Sequence, residues 1–281
     1  MQAAALSVDL HCHSTASDGV LPPAQVAQRA HANGVQVWAL TDHDTLSGIP
    51  QARATAQALG MRFITGVEVS VTWGGRTVHI VGLGVNPDHT PLHEGLEHMR
   101  RGRAARAQAM ADKLAEHGMS GAYDGALRHA GDPARISRTH LARFLVEAGY
   151  CKHVKVVFQR YLGDDGPCCV PTQWATLAQA VDWIVGAGGK AIVAHPGRYA
   201  FSDAQFNALF DTFRDLGGVG IEVITGSHSP AQYRAYAVVA KHYGFQASCG
   251  SDFHGTGESR LDLGRLPPLP ADLIPVWRDW L

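Results

Sequence analysis

Leu6-Ser7-Val8-Asp9-Leu10-His11-Cys12-His13-Ser14 is an apolar run that ends in polar residues, and the pattern that follows it decides the fold. Pro22-Pro23 opens a helix at a position where missing N–H groups do no harm, and Gly34 closes it. Residues 35–40 read as the next strand, ending in Thr41-Asp42-His43-Asp44, and a helix over about 47–59 leads to a third strand at 61–69. The alternation resumes with a helix over about 175–187, whose Leu177, Val181, Ile184 and Val185 share one face, and a strand at 191–194. Further strands fall at 219–224 and 246–249, with helices near 203–216 and 230–243. Repeated βα units of this kind favour a parallel barrel or sheet over a sandwich.

Gly74-Gly75 is a two-residue hairpin signal that tolerates positive φ at both positions. Counting outward from that turn, Trp73 faces Arg76, Thr72 faces Thr77, Val71 faces Val78 and Ser70 faces His79. Side chains alternate along a strand, so Ser70 and Glu68 share a face, and His79 lies diagonally within reach of an ion shared with Glu68.

The 281 residues allow one large domain or a core domain carrying an insertion. Hydrophobic residues at 46% and charged residues at 17% exclude disorder. No apolar run approaches the roughly 18 residues of a membrane span, and no basic-then-apolar leader opens the chain. The five cysteines form no CxxC, which argues against a disulfide framework or thiolate zinc site and points to a reducing cytoplasm. Between about 91 and 165 the period turns helical, enough for three or four helices. That stretch is basic: residues 100–165 hold 12 Lys and Arg against 7 Asp and Glu, while the remainder holds 12 against 18. A basic insert on an acidic, histidine-rich body suits a cation-dependent enzyme acting on anions.

The sixteen histidines concentrate the chemistry. His11 and His13 form an HxH, and residues i and i+2 of a strand share a face, so both imidazoles can grip one cation. Asp18 follows in the loop, Asp42-His43-Asp44 ends the second strand, and Glu68 ends the third. His195 ends the strand after the insert, and Ser251-Asp252-Phe253-His254 ends the last one with a further i, i+2 pair. These are the strand-to-loop edges where barrel enzymes build their sites. Asp42 could orient an imidazole from behind or cap the next helix. Cys12 should point to the opposite face of its strand, into the core, and Cys168-Cys169 reads as structural. Gly186-Ala187-Gly188-Gly189-Lys190 ends a helix and precedes a strand, the reverse of a nucleotide-binding loop.

Leu10-His11-Cys12-His13-Ser14, Ser17-Asp18-Gly19, Thr41-Asp42-His43-Asp44, Gly66-Val67-Glu68, His195-Pro196 and Ser251-Asp252-Phe253-His254 together resemble the polymerase and histidinol phosphatase (PHP) family of metal-dependent phosphoesterases. The likeness runs in order over about 5–98 and 166–260. It implies an α/β fold: a distorted seven-stranded β/α (TIM-like) barrel in two parts, 1–98 and 166–281, with an inserted α-helical domain at 99–165 acting as substrate cap. It also implies three divalent metal ions. One would bind His11, His13 and Asp252, a second His79 and His195 with Glu68 bridging the first two, and a third Asp18, His43 and His254. Glu68, His195 and Asp252 are thereby placed at the reacting centre. Six imidazoles and three carboxylates suit manganese, zinc or iron better than magnesium or calcium. Manganese is favoured because such families often use it.

Arg135-Ile136-Ser137-Arg138-Thr139-His140-Leu141-Ala142 and Gln159-Arg160-Tyr161-Leu162 resemble segments of a subgroup acting on nucleotide ends. That subgroup includes 3′,5′-nucleoside bisphosphate phosphatases and 5′→3′ exoribonucleases. Arg135 and Arg160 can make forked contacts to a second phosphate, with Arg138 beside them, and Ser137 and Thr139 can donate to phosphate oxygens. Asp44 can accept from a sugar hydroxyl, and Arg198 can clamp the phosphate at the metals. The expectation is removal of the 3′-phosphate from a small nucleoside 3′,5′-bisphosphate. Trimming of short 5′-phosphorylated RNA, with Tyr150, Phe158 and Tyr161 as stacking platforms, is the alternative. Histidinol-phosphate hydrolysis makes less of the insert, and a non-catalytic binding module sits poorly with intact ligands. Neither a membrane nor a protein partner is implied.

Overall fold

Among the described residues, seven strands run in sequence order through one sheet that curls into a nearly closed barrel. The computed structural model of the protein describes residues 6–281. Strand β1 is Val8–Asp9, followed by α1 (Pro23–Ala32), β2 (Val37–Leu40), α2 (Ile49–Ala58), β3 (Arg62–Trp73) and β4 (Arg76–Leu83). Helix α3 (Thr90–Arg101) leads into the insert, which carries α4 (Arg103–Glu116), α5 (Ala122–Ala130), α6 (Arg138–Glu147) and the short α7 (Val154–Val157). Beyond it come α8 (Leu177–Gly186), β5 (Lys190–Val193), α9 (Asp203–Asp215), β6 (Gly220–Thr225), α10 (Pro230–Tyr243) and β7 (Gln246–Gly250).

Strands β1 to β3 pair in parallel and so do β5 to β7, but β4 is antiparallel to both its neighbours. This is the distortion of the barrel, and it follows from the hairpin. Gly74 and Gly75 take φ of +55° and +76°, and the register is the one counted outward from them, including Ser70 opposite His79. Backbone hydrogen bonds close the ring between the ends of β1 and β7: Leu10 N–H donates to Cys249 O at 3.0 Å and Asp252 N–H to His11 O at 2.8 Å.

Strands β2 and β6 are buried at every position, as strands covered on both faces must be. Cys12 does pack in the core, where its thiol accepts from Trp38 Nε1–H at 3.2 Å. Thr176 with Gln179, Ser202 with Gln205 and Ser229 with Gln232 form capping boxes that start α8, α9 and α10. Gly188, at φ +76°, follows the end of α8, so the glycine run there does end a helix.

Two compact units divide the chain: one runs to Gly95 and resumes with Ala175–Leu281, and the other is Leu96–Trp174. Residues 166–174, expected with the barrel, pack in the helical unit instead. Arg106 Nε donates to Val170 O at 3.0 Å, and the Arg103 and Arg106 guanidinium groups lie over the Trp174 ring. That unit has its own core, with Met110, Leu114, Leu141, Leu145 and Leu162 buried. In the barrel unit the segment after β7 is also tied down: Ala247 N–H donates to Ile274 O, Val276 N–H to Ala247 O, and Lys190 Nζ to Val276 O.

Candidate metal centre

Glu68 is fully buried and sits among five imidazoles. Its Oε1 is 2.9 Å from both His195 Nε2 and His79 Nδ1; its Oε2 is 2.9 Å from His43 Nδ1 and 3.3 Å from both His11 Nε2 and His13 Nε2. Asp252 Oδ1 lies 3.3 Å from His13 Nε2 and 3.6 Å from both His11 Nε2 and His254 Nδ1. Asp18 Oδ1 lies 3.4 Å from His254 Nε2 and 3.9 Å from His43 Nε2. All nine side chains anticipated as ligands converge on this pocket, although they come from the ends of four strands, the β3–β4 hairpin and a loop. Glu68 does not end its strand, because β3 runs on to Trp73 to form that hairpin.

Among the described residues, four overlapping groups have ligand atoms within 4.8 Å of one another: His11, His13 and Asp252; His13, Asp18, His43 and His254; His11, Glu68 and His195; and His43, Glu68 and His79. The first matches an anticipated set, and the second contains another with His13 added. His79 and His195 share Glu68 Oε1 but fall in different groups. The donor set fits divalent cations by a further observation. Glu68 Oε2, Asp252 Oδ1, and the Nδ1 atoms of His13, His43 and His79 are buried without a hydrogen bond, despite their close neighbours. Buried polar atoms this close together without hydrogen bonds are costly unless a shared cation takes their lone pairs.

The electrostatics are those of a cation pocket. Burial alone would raise the carboxyl of Glu68, but His43, His79 and His11 overcome it and hold the group well below the carboxylate range. Asp18 is held down against burial by His43 and His254, and Asp252 by His11 and His13. Burial lowers His13 to about 3, helped by His254 and His43, and lowers His195 to about 3, helped by Arg198. His43 moves the other way, to about 9, because Glu68 and Asp18 outweigh its burial. Three carboxylates stay charged and His13 and His195 stay neutral at ordinary pH, as coordination requires. His11, His43 and His254, by contrast, are pushed up against their burial by carboxylate neighbours and would each give up a proton to a bound cation.

Backbone strain collects here as well. Among the described residues, the non-glycine positions at positive φ are Asp44 (+52°), His195 (+27°) and Asp252 (+54°). Asp44 explains its own: its Oδ1 accepts from Ser70 N–H at 2.8 Å and its Oδ2 from Ser70 Oγ at 2.9 Å. Fully buried, it anchors the His43 loop to β3. Asp42 neither orients an imidazole nor caps α2. It accepts from Ser14 N–H, Ser14 Oγ and Ser17 Oγ at 2.6–2.7 Å and so holds the loop that carries Asp18.

Arg198 stands at the rim, half exposed, with Nη1 donating to Asp252 Oδ2 at 3.0 Å. In the helical unit, Arg135 ends a short 3₁₀ turn, exposed, 3.8 Å from Asp132. Ser137 caps α6 and accepts from Thr139 N–H at 3.1 Å. Arg138 donates to Leu162 O and to Asp164, and Arg160 lies over the Tyr161 ring.

Sequence reasoning missed two residues that shape the pocket. Tyr199 Oη accepts from His79 N–H and donates to Ala194 O, both at 2.9 Å, bridging the strands that deliver His79 and His195. Glu222 contacts His11 and His195; the available signal was a lone charge inside the apolar run 219–224.

Fold and site together define a class of metal-dependent α/β-barrel hydrolases, with candidate His, Asp and Glu metal ligands gathered in one pocket. The PHP domain model matches residues 9–254. The chain belongs to the PHP domain family. It is 47% identical to a 3′,5′-nucleoside bisphosphate phosphatase of Chromobacterium violaceum, over 97% of this chain and 96% of that protein. A 5′-3′ exoribonuclease of Haemophilus influenzae is 41% identical over 96% of this chain and 97% of its own. Among solved structures, a Chromobacterium violaceum protein described as an amidohydrolase superposes with a TM-score of 0.94 at 47% identity, covering 97% of this chain and 95% of its own.

Proposed function

We propose that the protein is a metal-dependent phosphohydrolase that removes the 3′-phosphate from nucleoside 3′,5′-bisphosphates, releasing a nucleoside 5′-monophosphate and phosphate. The observation that carries this reading is Glu68 at the centre of five imidazoles, with Asp252 linking that cluster to a half-exposed arginine. The 47% identity to a phosphatase of that substrate class supports it.

In this reading His11, His13 and Asp252 would hold one ion, His79, His195 and Glu68 a second, and Asp18, His43 and His254 a third, with manganese as the resident metal. Divalent ions bound there supply a deprotonated nucleophile near neutral pH and charge stabilisation for the phosphoryl oxygens. The chain supplies the rest. Glu68 and Asp252 remain ionised because the imidazoles around them oppose their burial. Arg198 turns from Asp252 toward the phosphate and donates to its oxygens. Arg135 and Arg160 of the insert take the 5′-phosphate by forked contacts, while Arg138, already engaged with Asp164, steadies their segment. The cytoplasm is the proposed compartment, and no helix among the described residues is long and apolar enough to cross a membrane.

Stepwise trimming of 5′-phosphorylated RNA is the second reading, favoured by the 41% identity to an exoribonuclease. One comparison separates them: the manganese-loaded protein is given adenosine 3′,5′-bisphosphate or a short 5′-phosphorylated RNA. Phosphate release with adenosine 5′-monophosphate as product is expected from the first. Mononucleotides from the RNA with no phosphate from the bisphosphate would reverse the assignment.

A further inference from the structure

Glu222 lies inside β6, 1% exposed. A carboxylate offers only acceptors, and Glu222 uses both oxygens: Oε1 accepts from His11 Nδ1–H at 2.8 Å, and Oε2 from His195 N–H at 2.7 Å. The other ring nitrogen of His11, Nε2, faces the cluster, 3.2 Å from His13 Nε2 and 3.3 Å from Glu68 Oε2. One carboxylate therefore holds two ligand-bearing segments: the end of β1 through a ring, and the end of β5 through its backbone. A bulge between Glu222 and Ile224 shifts the register of β6 against β7 at this point. Bulges beside active sites re-aim side chains, and the Val223 carbonyl released here lies 3.3 Å from His228 Nδ1.

We propose that Glu222 is a positioning residue of the metal centre: it fixes the His11 tautomer so that the Nε2 lone pair points at the cations, and it locks His195 through the same carboxylate. This rests on reading the nine converging residues as ligands. A backing carboxylate sets both the orientation and the basicity of a ligating imidazole. Glu222→Gln tests the idea because both of its partners are donors. An amide of the same shape accepts through one atom only. Either His11 turns to its other tautomer, or the His195 N–H loses its acceptor.

The experiment measures metal affinity by titration and metal analysis, together with ¹⁵N-histidine NMR of the cadmium-loaded protein. Glu222→Gln is expected to bind about 10–100-fold more weakly than the wild type. In the wild type, the His11 signal should show a protonated Nδ1 and a coordinated Nε2. Wild-type affinity in Glu222→Gln with an unchanged His11 signal overturns the role of Glu222 and leaves the ligand reading standing. A wild-type protein that takes up no metal overturns the ligand reading itself. Should the variant not fold, the wild-type spectrum decides alone, since His11 coordinated through Nδ1 overturns the proposal.

Discussion

A Cβ placed on Gly250 would lie 2.2 Å from the Cβ of His11 and 2.6 Å from its backbone nitrogen. The end of β7 thus presses against the first of the candidate ligands, and nothing there can yield, because both sides are backbone or the root of a side chain. Gly250→Ala is expected to destabilise the fold by about 1–3 kcal/mol through overpacking and to lower metal content by displacing His11. Urea denaturation and metal analysis of the purified variant check both effects. A variant with wild-type stability would contradict the packing described.

Removing the metals should cost stability as well as activity, because the lone pairs in this pocket have so few other partners. Ions that bind only the folded chain stabilise it by about 2.7 kcal/mol at a concentration 100 times the dissociation constant. The melting temperature should therefore fall on chelation and rise with added manganese. Glu68→Gln should abolish that rise and reduce turnover further than the roughly 10–100-fold expected of changes outside the ligand shell. A melting temperature indifferent to manganese would speak against the ligand assignment.

Much of this centre was legible because turn chemistry and strand periodicity are local. Gly74-Gly75 determines the hairpin register, and the register alone brings His79 to Glu68. The strand ends likewise pointed to candidate ligands, since alternation puts His11 and His13 on one face. Asp42 and Asp44 were harder, because a carboxylate beside a ligand looks the same whether it meets substrate, metal or a serine elsewhere in the chain. Only the folded chain shows Ser14 and Ser17 on Asp42, and Ser70 on Asp44. The strained backbone of His195 and Asp252 left no mark in residue type, because neither position is glycine.

Arg198 offers a way to separate substrate binding from metal binding. It reaches Asp252 through a single 3.0 Å contact and is half exposed, whereas Asp252 has imidazoles around its other oxygen. Arg198→Ala should lower kcat/KM by about 10–100-fold, the range of a charged hydrogen bond to phosphate, and leave metal affinity close to wild type. Arg198→Lys should recover only part of the loss, since a lysine keeps the charge but not the fork. Metal affinity falling in step with kcat/KM would instead assign Arg198 to holding Asp252.

His228 sets a pH dependence of its own. It is fully buried, its Nε2 accepts from Gly197 N–H at 2.9 Å, and its ring stacks on Tyr236. Burial is the main cause that lowers it to about 4, so the folded protein holds it neutral. Above about pH 6.5 the imidazole is neutral in both folded and unfolded chains and contributes no slope. Between about 6.5 and 4 the unfolded chain takes up a proton that the folded chain refuses, so stability falls as pH falls through that window. Below about 4 both states are protonated and the contribution is flat again. The loss amounts to about 3 kcal/mol at the acid end. His228→Gln, which keeps an acceptor for Gly197, should therefore show a shallower decline than the wild type between pH 6.5 and 4. Urea midpoints at half-unit pH steps, taken in chelator so that metal loss does not add to the slope, give the comparison. Parallel curves for the two proteins would mean that His228 titrates alike in both states and is not held neutral by the fold.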